Sequence, residues 1–222
     1  MKPILFNTEM TIAILEERKK ETRRVIKSQP EGKLLHVTGY KCDEWWEIRE
    51  TEKGEERIKI KAPFQEGDIL WVRETWQYAY ELDGNDQIIE ETGKYYYAAD
   101  AKKDSHVFST WLNPDGTHRD SMPWRPSIHM PKEAARIFLK VCNVYAQRLQ
   151  DCSNGEIENE GAKSRDEFAY LWDKTIKPTD IERFGWQANP LVWVIQFERI
   201  EKEEARKENS TCGQEGEYDS KQ

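Results

Sequence analysis

Long apolar segments are missing from this chain of 222 residues. A membrane-spanning helix needs roughly 18 consecutive apolar residues, whereas hydrophobic residues make up 37% of this chain and charged residues 34%. The apolar start of the chain turns polar at Asn7, which is too early for a secretory signal. We therefore expect a cytoplasmic protein without a membrane partner.

Patterns for metal binding and for disulfide bonding are also missing. The four cysteines, Cys42, Cys142, Cys152 and Cys212, form no C-x-x-C pair and accompany no spaced pair of histidines. This argues against a zinc site and against a disulfide framework. We expect reduced thiols, with Cys142 in a core strand, and neither a metal nor a cofactor.

Positive charge is scarce overall but concentrated in one segment. The net charge of −8 disfavours extensive contact with phosphates, yet residues 18–27 carry six basic residues and one acidic residue. The acidic residues 201–222 contain almost nothing apolar, which predicts a disordered tail. Aromatic residues make up 11% of the chain and include nine tryptophans. This aromatic content indicates that the rest of the chain folds around a packed core. The expected organisation is a folded domain over 1–200 and a tail over 201–222.

Hydrophobic periodicity predicts an α+β fold. The expected elements are a helix from Asn7 or Thr8 to about Lys20, strands over 21–26, 69–76, 94–99, 136–148 and 191–200, a hairpin over 44–61, and helices over 153–159 and 164–175. Residues 77–123 are rich in turn signals and are interpreted as an insertion. Because antiparallel strands dominate, we expect a small, mostly antiparallel β-barrel with flanking helices.

Four short blocks carry a resemblance to a known family. They are Thr22-Arg23-Arg24, Trp-Val-Arg-Glu-Thr-Trp at 71–76, Ser-Ile-His-Met-Pro at 127–131, and Ala188-Asn189-Pro190. With these blocks the chain resembles, over about residues 1–200, the ASCH (activating signal cointegrator homology) domains of bacteriophages and prophages. The resemblance implies a PUA-like β-barrel and the cytoplasm of a bacterial host. PUA-like domains mostly bind RNA or modified bases in a cleft beside the barrel.

The resemblance also implies a set of catalytic residues. Some small ASCH proteins are amidohydrolases that remove the acetyl group from N4-acetylcytidine with a Lys, a Thr three residues later and a Glu from a later helix. Lys19 and Thr22 have this spacing, and Glu160 is the best positional match for the acid. A threonine hydroxyl needs a neighbouring base to act as a nucleophile, and a desolvated lysine can serve as that base. Alternatively, Lys19 complements a helix dipole and Thr22 is an ordinary strand residue.

Other side chains are candidates for binding a nucleotide. Arginines bind phosphates or base edges in bidentate fashion, and tryptophans at element ends can stack on bases. The candidate binding residues are Arg23, Arg24, Arg73, Glu74, Trp76, Trp124, Arg125, Ser127, His129, Trp186 and Asn189. The alternatives are a solvated surface for Arg23, a cross-strand salt bridge for Arg73 and Glu74, packing against the insertion for the tryptophans, and a structural role for His129.

Two classes of function remain open at this point. The first is the binding of RNA, a modified base or a nucleotide in a cleft bounded by Lys19, Thr22, Arg24 and Glu160. The alternative is an amidohydrolase that acts on N4-acylated cytosine nucleosides. Arg23 and Arg24 replace a more apolar pattern beside Thr22, and this favours a ligand that carries phosphate.

Overall fold

A computed structural model describes residues 1–29, 33–40, 44–51, 54–83, 85, 87–101, 111–112, 118–119 and 124–211. The chain forms two compact units that alternate along the sequence. The first unit comprises Met1–Leu15, Leu70–Phe138 and Glu201–Gln222, and the second comprises Glu16–Ile69 and Leu139–Ile200. In the part of the chain that is described, none of the helices has the length and apolar character needed to cross a membrane.

Helices and strands are both present, which confirms the α+β class. The helices are α1 (Thr8–Leu15), α2 (Ala98–Ala101), α3 (Asn154–Asn159), α4 (Arg165–Thr175), α5 (Ile181–Phe184) and α6 (Lys202–Thr211). The strands are β1 (Lys2–Leu5), β2 (Glu21–Val25), β3 (Lys33–Tyr40), β4 (Glu44–Thr51), β5 (Gly54–Ile60), β6 (Ile69–Arg73), β7 (Trp76–Leu82), β8 (Ile88–Tyr97), β9 (Trp111–Leu112), β10 (His118–Arg119), β11 (Phe138–Arg148) and β12 (Leu191–Ile200).

In the first unit a parallel strand pair lies beside a hairpin of tyrosine-rich strands. β1 pairs with β6 in parallel, and β7 pairs with β8 in antiparallel orientation. Leu70 and Val72 of β6 are fully buried, as expected for an almost entirely apolar strand. On β8, a Cβ at Gly93 would lie 2.5 Å from the hydroxyl oxygen of Tyr78. The glycine therefore allows the Tyr78 ring to lie across the β8 main chain.

The second unit is built around β12. This strand lies between β11 and β2, and its pairing with β2 is antiparallel from Val192 opposite Val25 to Gln196 opposite Glu21. The apolar face of α4, with Phe168 and Trp172, belongs to one core cluster with β12. β3, β4 and β5 form a separate antiparallel sheet.

The described strands form open sheets within each unit and do not close into a barrel there. The expected mostly antiparallel barrel is therefore replaced by a mixture of parallel and antiparallel pairs. A parallel pair needs a long crossover connection. Between β1 and β6 that connection runs through other elements, so local periodicity gives no sign of the pairing.

Two further expectations need correction. The first helix ends at Leu15 rather than near Lys20, and Glu17 takes the left-handed conformation (φ 59°) that commonly terminates a helix. Residues 202–211 form α6 with Ala205 fully buried, so this part of the expected tail is ordered because one small side chain anchors it. Residues 212–222 lie outside the described residues.

The insertion and the cysteines differ from expectation as well. Within 77–123, β7, β8 and α2 form regular structure, whereas 102–110, 113–117 and 120–123 lie outside the described residues. Cys142 is in a strand as expected, but it is exposed, because β11 alternates and turns Val141 inward instead. Cys42 and Cys212 are not among the described residues.

Candidate functional site

The segment before β2 is held between α3 and β12 by main-chain hydrogen bonds. The amide of Lys20 donates to the carbonyl of Asn159 (2.7 Å), and the amide of Phe197 donates to the carbonyl of Lys20 (2.9 Å). Because extended chain alternates its side chains, Arg18 and Lys20 are exposed while Lys19 is buried. The local backbone thus places one lysine of a basic segment inside the second unit.

Lys19 meets Glu160, the residue that follows α3. The Lys19 ammonium donates to the Glu160 carboxylate oxygen Oε2 and to the Glu160 carbonyl (3.0 Å). The exposed fractions of the two side chains are 0% and 6%. Burial lowers the pKa of Lys19 against the opposing attraction of Glu160, and the charges of Arg24 and Arg23 lower it further. The structure therefore brings two of the three expected catalytic residues into direct contact.

Thr22 is buried next to Arg24 on β2. The guanidinium of Arg24 donates through Nη1 to Thr22 Oγ1 (2.8 Å) and to the carbonyl of Arg23 (2.9 Å). Burial lowers the pKa of Arg24, and Glu160 opposes that change. A hydroxyl oxygen that accepts from a cation is better able to carry negative charge. The Arg24 guanidinium is therefore placed to stabilise negative charge on Thr22 Oγ1.

Arg23 does not lie on the solvated surface, which was the alternative to a binding role in the sequence analysis. It is buried, with an exposed fraction of 3%. Its Nη1 donates to Glu21 Oε1 (2.7 Å) and Glu160 Oε1 (3.2 Å), and its Nη2 donates to Glu156 Oε1 (3.2 Å). Although burial works against the charge, Glu160 and Glu21 raise the pKa of Arg23. Arg23 is therefore a charged side chain that joins three carboxylates.

Sequence reasoning missed Glu156, which anchors this network. The Ser153 amide (2.7 Å) and the Tyr145 hydroxyl (2.7 Å) donate to its carboxylate. Partial burial opposes the charge, but these hydrogen bonds and Arg23 hold the pKa of Glu156 at about 2. Serine at 153 with glutamate three residues later is a capping-box pattern, so the signal for its helix role was present in the sequence.

We call the six side chains of this network the charge cluster. It consists of Lys19, Arg23, Arg24, Glu21, Glu156 and Glu160. With three cations and three carboxylates, the formal charges cancel. The basic segment 18–27 is consequently no continuous exposed stripe, since the carboxylates neutralise Lys19 and Arg23 inside the unit, while Lys20 and Lys27 remain exposed.

Arg73 and Glu74, in the first unit, do not pair with each other. The Glu74 carboxylate is buried and accepts two hydrogen bonds from Arg136, both 2.9 Å, while Arg136 also donates to Asp100 (2.7 Å). Arg73 donates to the carbonyl of Ile128. A salt bridge was the alternative to a binding role for this strand, and Glu74 forms one with Arg136, which lies 62 residues away in the sequence.

The other candidates in the first unit are a buried tryptophan and an exposed turn. Trp76 is 5% exposed and lies under the guanidinium of Arg125 (5.4 Å from the ring centroid), so its faces are closed to a base. Trp124 is half-buried, Ser127 is half-buried, and His129 is exposed at the end of the short turn that Ser127 begins.

Trp186 and Asn189 of the second unit have structural partners. Trp186 packs edge-on against Phe168 (5.8 Å between centroids). Asn189 adopts the left-handed conformation (φ 46°), and its side-chain oxygen accepts from the Gln150 amide (2.8 Å). These contacts tie the loop before β12 to the residues that follow β11.

The chain was compared with protein-family models, with curated proteins and with solved structures, and none of these comparisons found a match. Within the described ranges, no group of three or more His, Cys, Asp or Glu side chains is arranged to hold a metal ion.

Proposed function

We propose that the protein is an amidohydrolase that removes an acyl group from an N4-acylated cytosine nucleoside or nucleotide. Thr22 is the nucleophile, Lys19 the general base and Glu160 the general acid, on an ASCH domain of the PUA-like type. The observation that carries this proposal is the direct bond between a buried lysine of lowered pKa and a nearly buried carboxylate. A buried titratable group whose pKa is shifted beside a specific charged partner is a candidate for a functional site.

The Lys19–Glu160 pair can supply both a base and an acid. One proton is shared between them, and when it lies on Glu160 the lysine is neutral. The neutral amine of Lys19 then takes the Thr22 hydroxyl proton while Oγ1 attacks the acyl carbon. As the C–N bond breaks, Glu160 gives its proton to the departing N4 amine. This leaves an acyl ester on Thr22, with the ammonium and the carboxylate restored.

Hydrolysis of the ester reverses these roles. Glu160 takes a proton from the attacking water, whose oxygen bonds to the acyl carbon. Lys19 returns a proton to Thr22 Oγ1 as the ester bond breaks, so the free acid leaves and the starting protonation state is recovered. Arg24 remains bonded to Thr22 in the resting state (2.8 Å), where its charge favours the alkoxide character that attack requires.

A binding module without catalysis is the second candidate. It is favoured by the structural hydrogen bonds of the Lys19 ammonium, which donates to both the carboxylate and the carbonyl of Glu160. In that case Thr22 and Arg24 recognise a modified base or the phosphate of a nucleotide or RNA. Loss of one neutral hydrogen-bond partner such as Thr22 then weakens binding by only about 1 kcal/mol.

An assay of N4-acetylcytidine hydrolysis to cytidine and acetate separates these candidates. The variants are Lys19→Ala, Thr22→Val and Glu160→Gln. Removal of the nucleophile should abolish nearly all turnover, and removal of either proton-transfer group should lower kcat by about 10²- to 10⁴-fold. Wild-type protein without turnover on acylated cytidines, together with Thr22→Val that still weakens nucleotide binding, would sink the hydrolase proposal.

Each variant has a matched control of the same residue type. Lys20→Ala removes an exposed neighbouring lysine, and Glu158→Gln neutralises an exposed glutamate of α3. Thr11→Val removes another buried threonine hydroxyl, one that donates to the carbonyl of Asn7. These three controls should keep wild-type turnover per folded molecule.

A further inference from the structure

We infer that Arg23 is the positioning residue that fixes the Glu160 carboxylate against Lys19. This inference rests on the proposed function, in which Glu160 and Lys19 exchange protons with the substrate.

The two oxygens of Glu160 are held by two different cations. Oε2 accepts from Lys19, and Oε1 accepts from Nη1 of Arg23 (3.2 Å). A carboxylate held at both oxygens has a defined plane, whereas one held at a single oxygen can rotate about its terminal torsion. Arg23 therefore fixes the orientation of the Glu160 carboxylate. That orientation sets which lone pair faces Lys19 and from which side a leaving group can receive the proton.

Arg23 can do this because its own position is fixed from three sides. Glu21 and Glu156 accept from its terminal nitrogens, and the Phe168 ring lies 5.5 Å from its guanidinium carbon. Glu21 in turn accepts from Gln196 of β12 (3.3 Å). The guanidinium is held through its terminal nitrogens alone, since Nε has no hydrogen-bond partner among the described residues. A lysine at this position could not reach all three carboxylates at once.

Charge gives Arg23 a second effect on the same pair. Glu160, Arg24 and Arg23 are charged groups that act on Lys19, and the two arginines both favour the neutral amine. Loss of the Arg23 charge removes one of these influences and frees Glu160 to pair with Lys19 alone. Both changes favour the ammonium form and so reduce the fraction of Lys19 that can act as a base.

The test compares two variants of Arg23. Arg23→Lys keeps the positive charge but loses the planar guanidinium with its two terminal nitrogens, whereas Arg23→Gln loses the charge. We expect kcat of Arg23→Lys to fall by about 10²-fold, the cost of a misplaced catalytic group. KM should change little, because Arg23 is buried and its terminal nitrogens bind carboxylates of the protein. Its pH–rate profile should keep the wild-type acidic limb. In Arg23→Gln that limb should move to higher pH.

The matched control is Arg136→Lys, which makes the same change at an arginine that binds both oxygens of Glu74 rather than Glu160. A merely structural Arg23 would leave Arg23→Lys no more impaired per folded molecule than Arg136→Lys, and would leave the pH profile of Arg23→Gln unchanged. Either result would overturn the inference.

Titration of the Lys19 side chain by carbon NMR gives a readout that needs no turnover. The Lys19 signal is identified by its loss in Lys19→Ala. Its midpoint should be higher in Arg23→Gln than in wild type, and an unchanged midpoint contradicts the inference. If wild type shows no turnover on any acylated cytidine, the proposed function fails, and this titration alone then decides whether Arg23 governs the Lys19–Glu160 pair.

Discussion

The buried carboxylate of Glu74 is stabilised by its partner, Arg136. Its carboxylate is 1% exposed, and its partner Arg136 binds both oxygens. We expect Arg136→Ala to lower the free energy of unfolding by about 3–5 kcal/mol at pH 8, because an unpaired charge is left buried. Urea unfolding followed by tryptophan fluorescence measures this loss.

The pH dependence of that loss has a defined sign. Burial raises the pKa of Glu74, and Arg136 opposes the rise, so removal of Arg136 raises this pKa further. The folded variant then keeps a proton that the unfolded chain releases above about pH 4.5. The destabilisation should therefore be small near pH 4.5 and grow as pH rises. Arg125→Ala, which removes an exposed arginine over Trp76, should show neither a large loss nor this slope.

For single residues of the candidate site, the resemblance named Lys19 and Glu160 but neither the burial of Arg23 nor its carboxylate partners. The spacing of Lys19 and Thr22 and the position of Glu160 came from a family resemblance, and Lys19 and Glu160 are in contact. Nothing local in the sequence distinguishes Arg23 from an exposed arginine. Its burial depends on Glu156 and Glu160, which are more than 130 positions away.

Helix α3 links local capping to the candidate site. Ser153 caps its first turn by accepting from the Glu156 amide, and Glu160 follows its last turn. Ser153→Ala should cost about 1 kcal/mol in unfolding free energy. It should also lower turnover, because the same helix positions Glu156 and Glu160.

Ser164→Ala is the matched comparison, since Ser164 caps α4 in the same way. It should cost a similar unfolding free energy and leave turnover per folded molecule unchanged. Equal turnover in the two variants would show that α3 does not control the position of Glu160. Thermal unfolding and the cytidine-release assay provide the two measurements.

At the level of elements, strong local signals were predicted well and non-local pairings were not. The expected strand over 191–200 is β12, and the expected helix over 164–175 is α4 with Ser164 as its cap. An apolar run and a capping residue define these elements without reference to the rest of the chain. β1 was missed because a strand of four residues is too short to show a hydrophobic periodicity. Its partner strand, β6, also begins far along the sequence.

For the whole molecule, the net charge of −8 and the internal neutralisation of Lys19 and Arg23 predict weak electrostatic attraction to polyanions. The dissociation constant for neutral N4-acetylcytidine should change little between about 50 and about 500 mM salt. Calorimetric titration at several salt concentrations tests this. A slope of log K against log salt steeper than about −2 for single-stranded RNA would instead indicate three or more phosphate contacts.

The bond between Lys19 and Glu160 joins residues that are 141 positions apart in the chain. Protein synthesis proceeds at about 5 to 20 residues per second, so about 7 to 30 s separate the translation of the two residues. During that interval Glu21 is the only acidic residue of the segment 18–27, against six basic residues. Completion of the charge cluster must therefore wait until α3 has been translated, which makes it a late event in folding during synthesis.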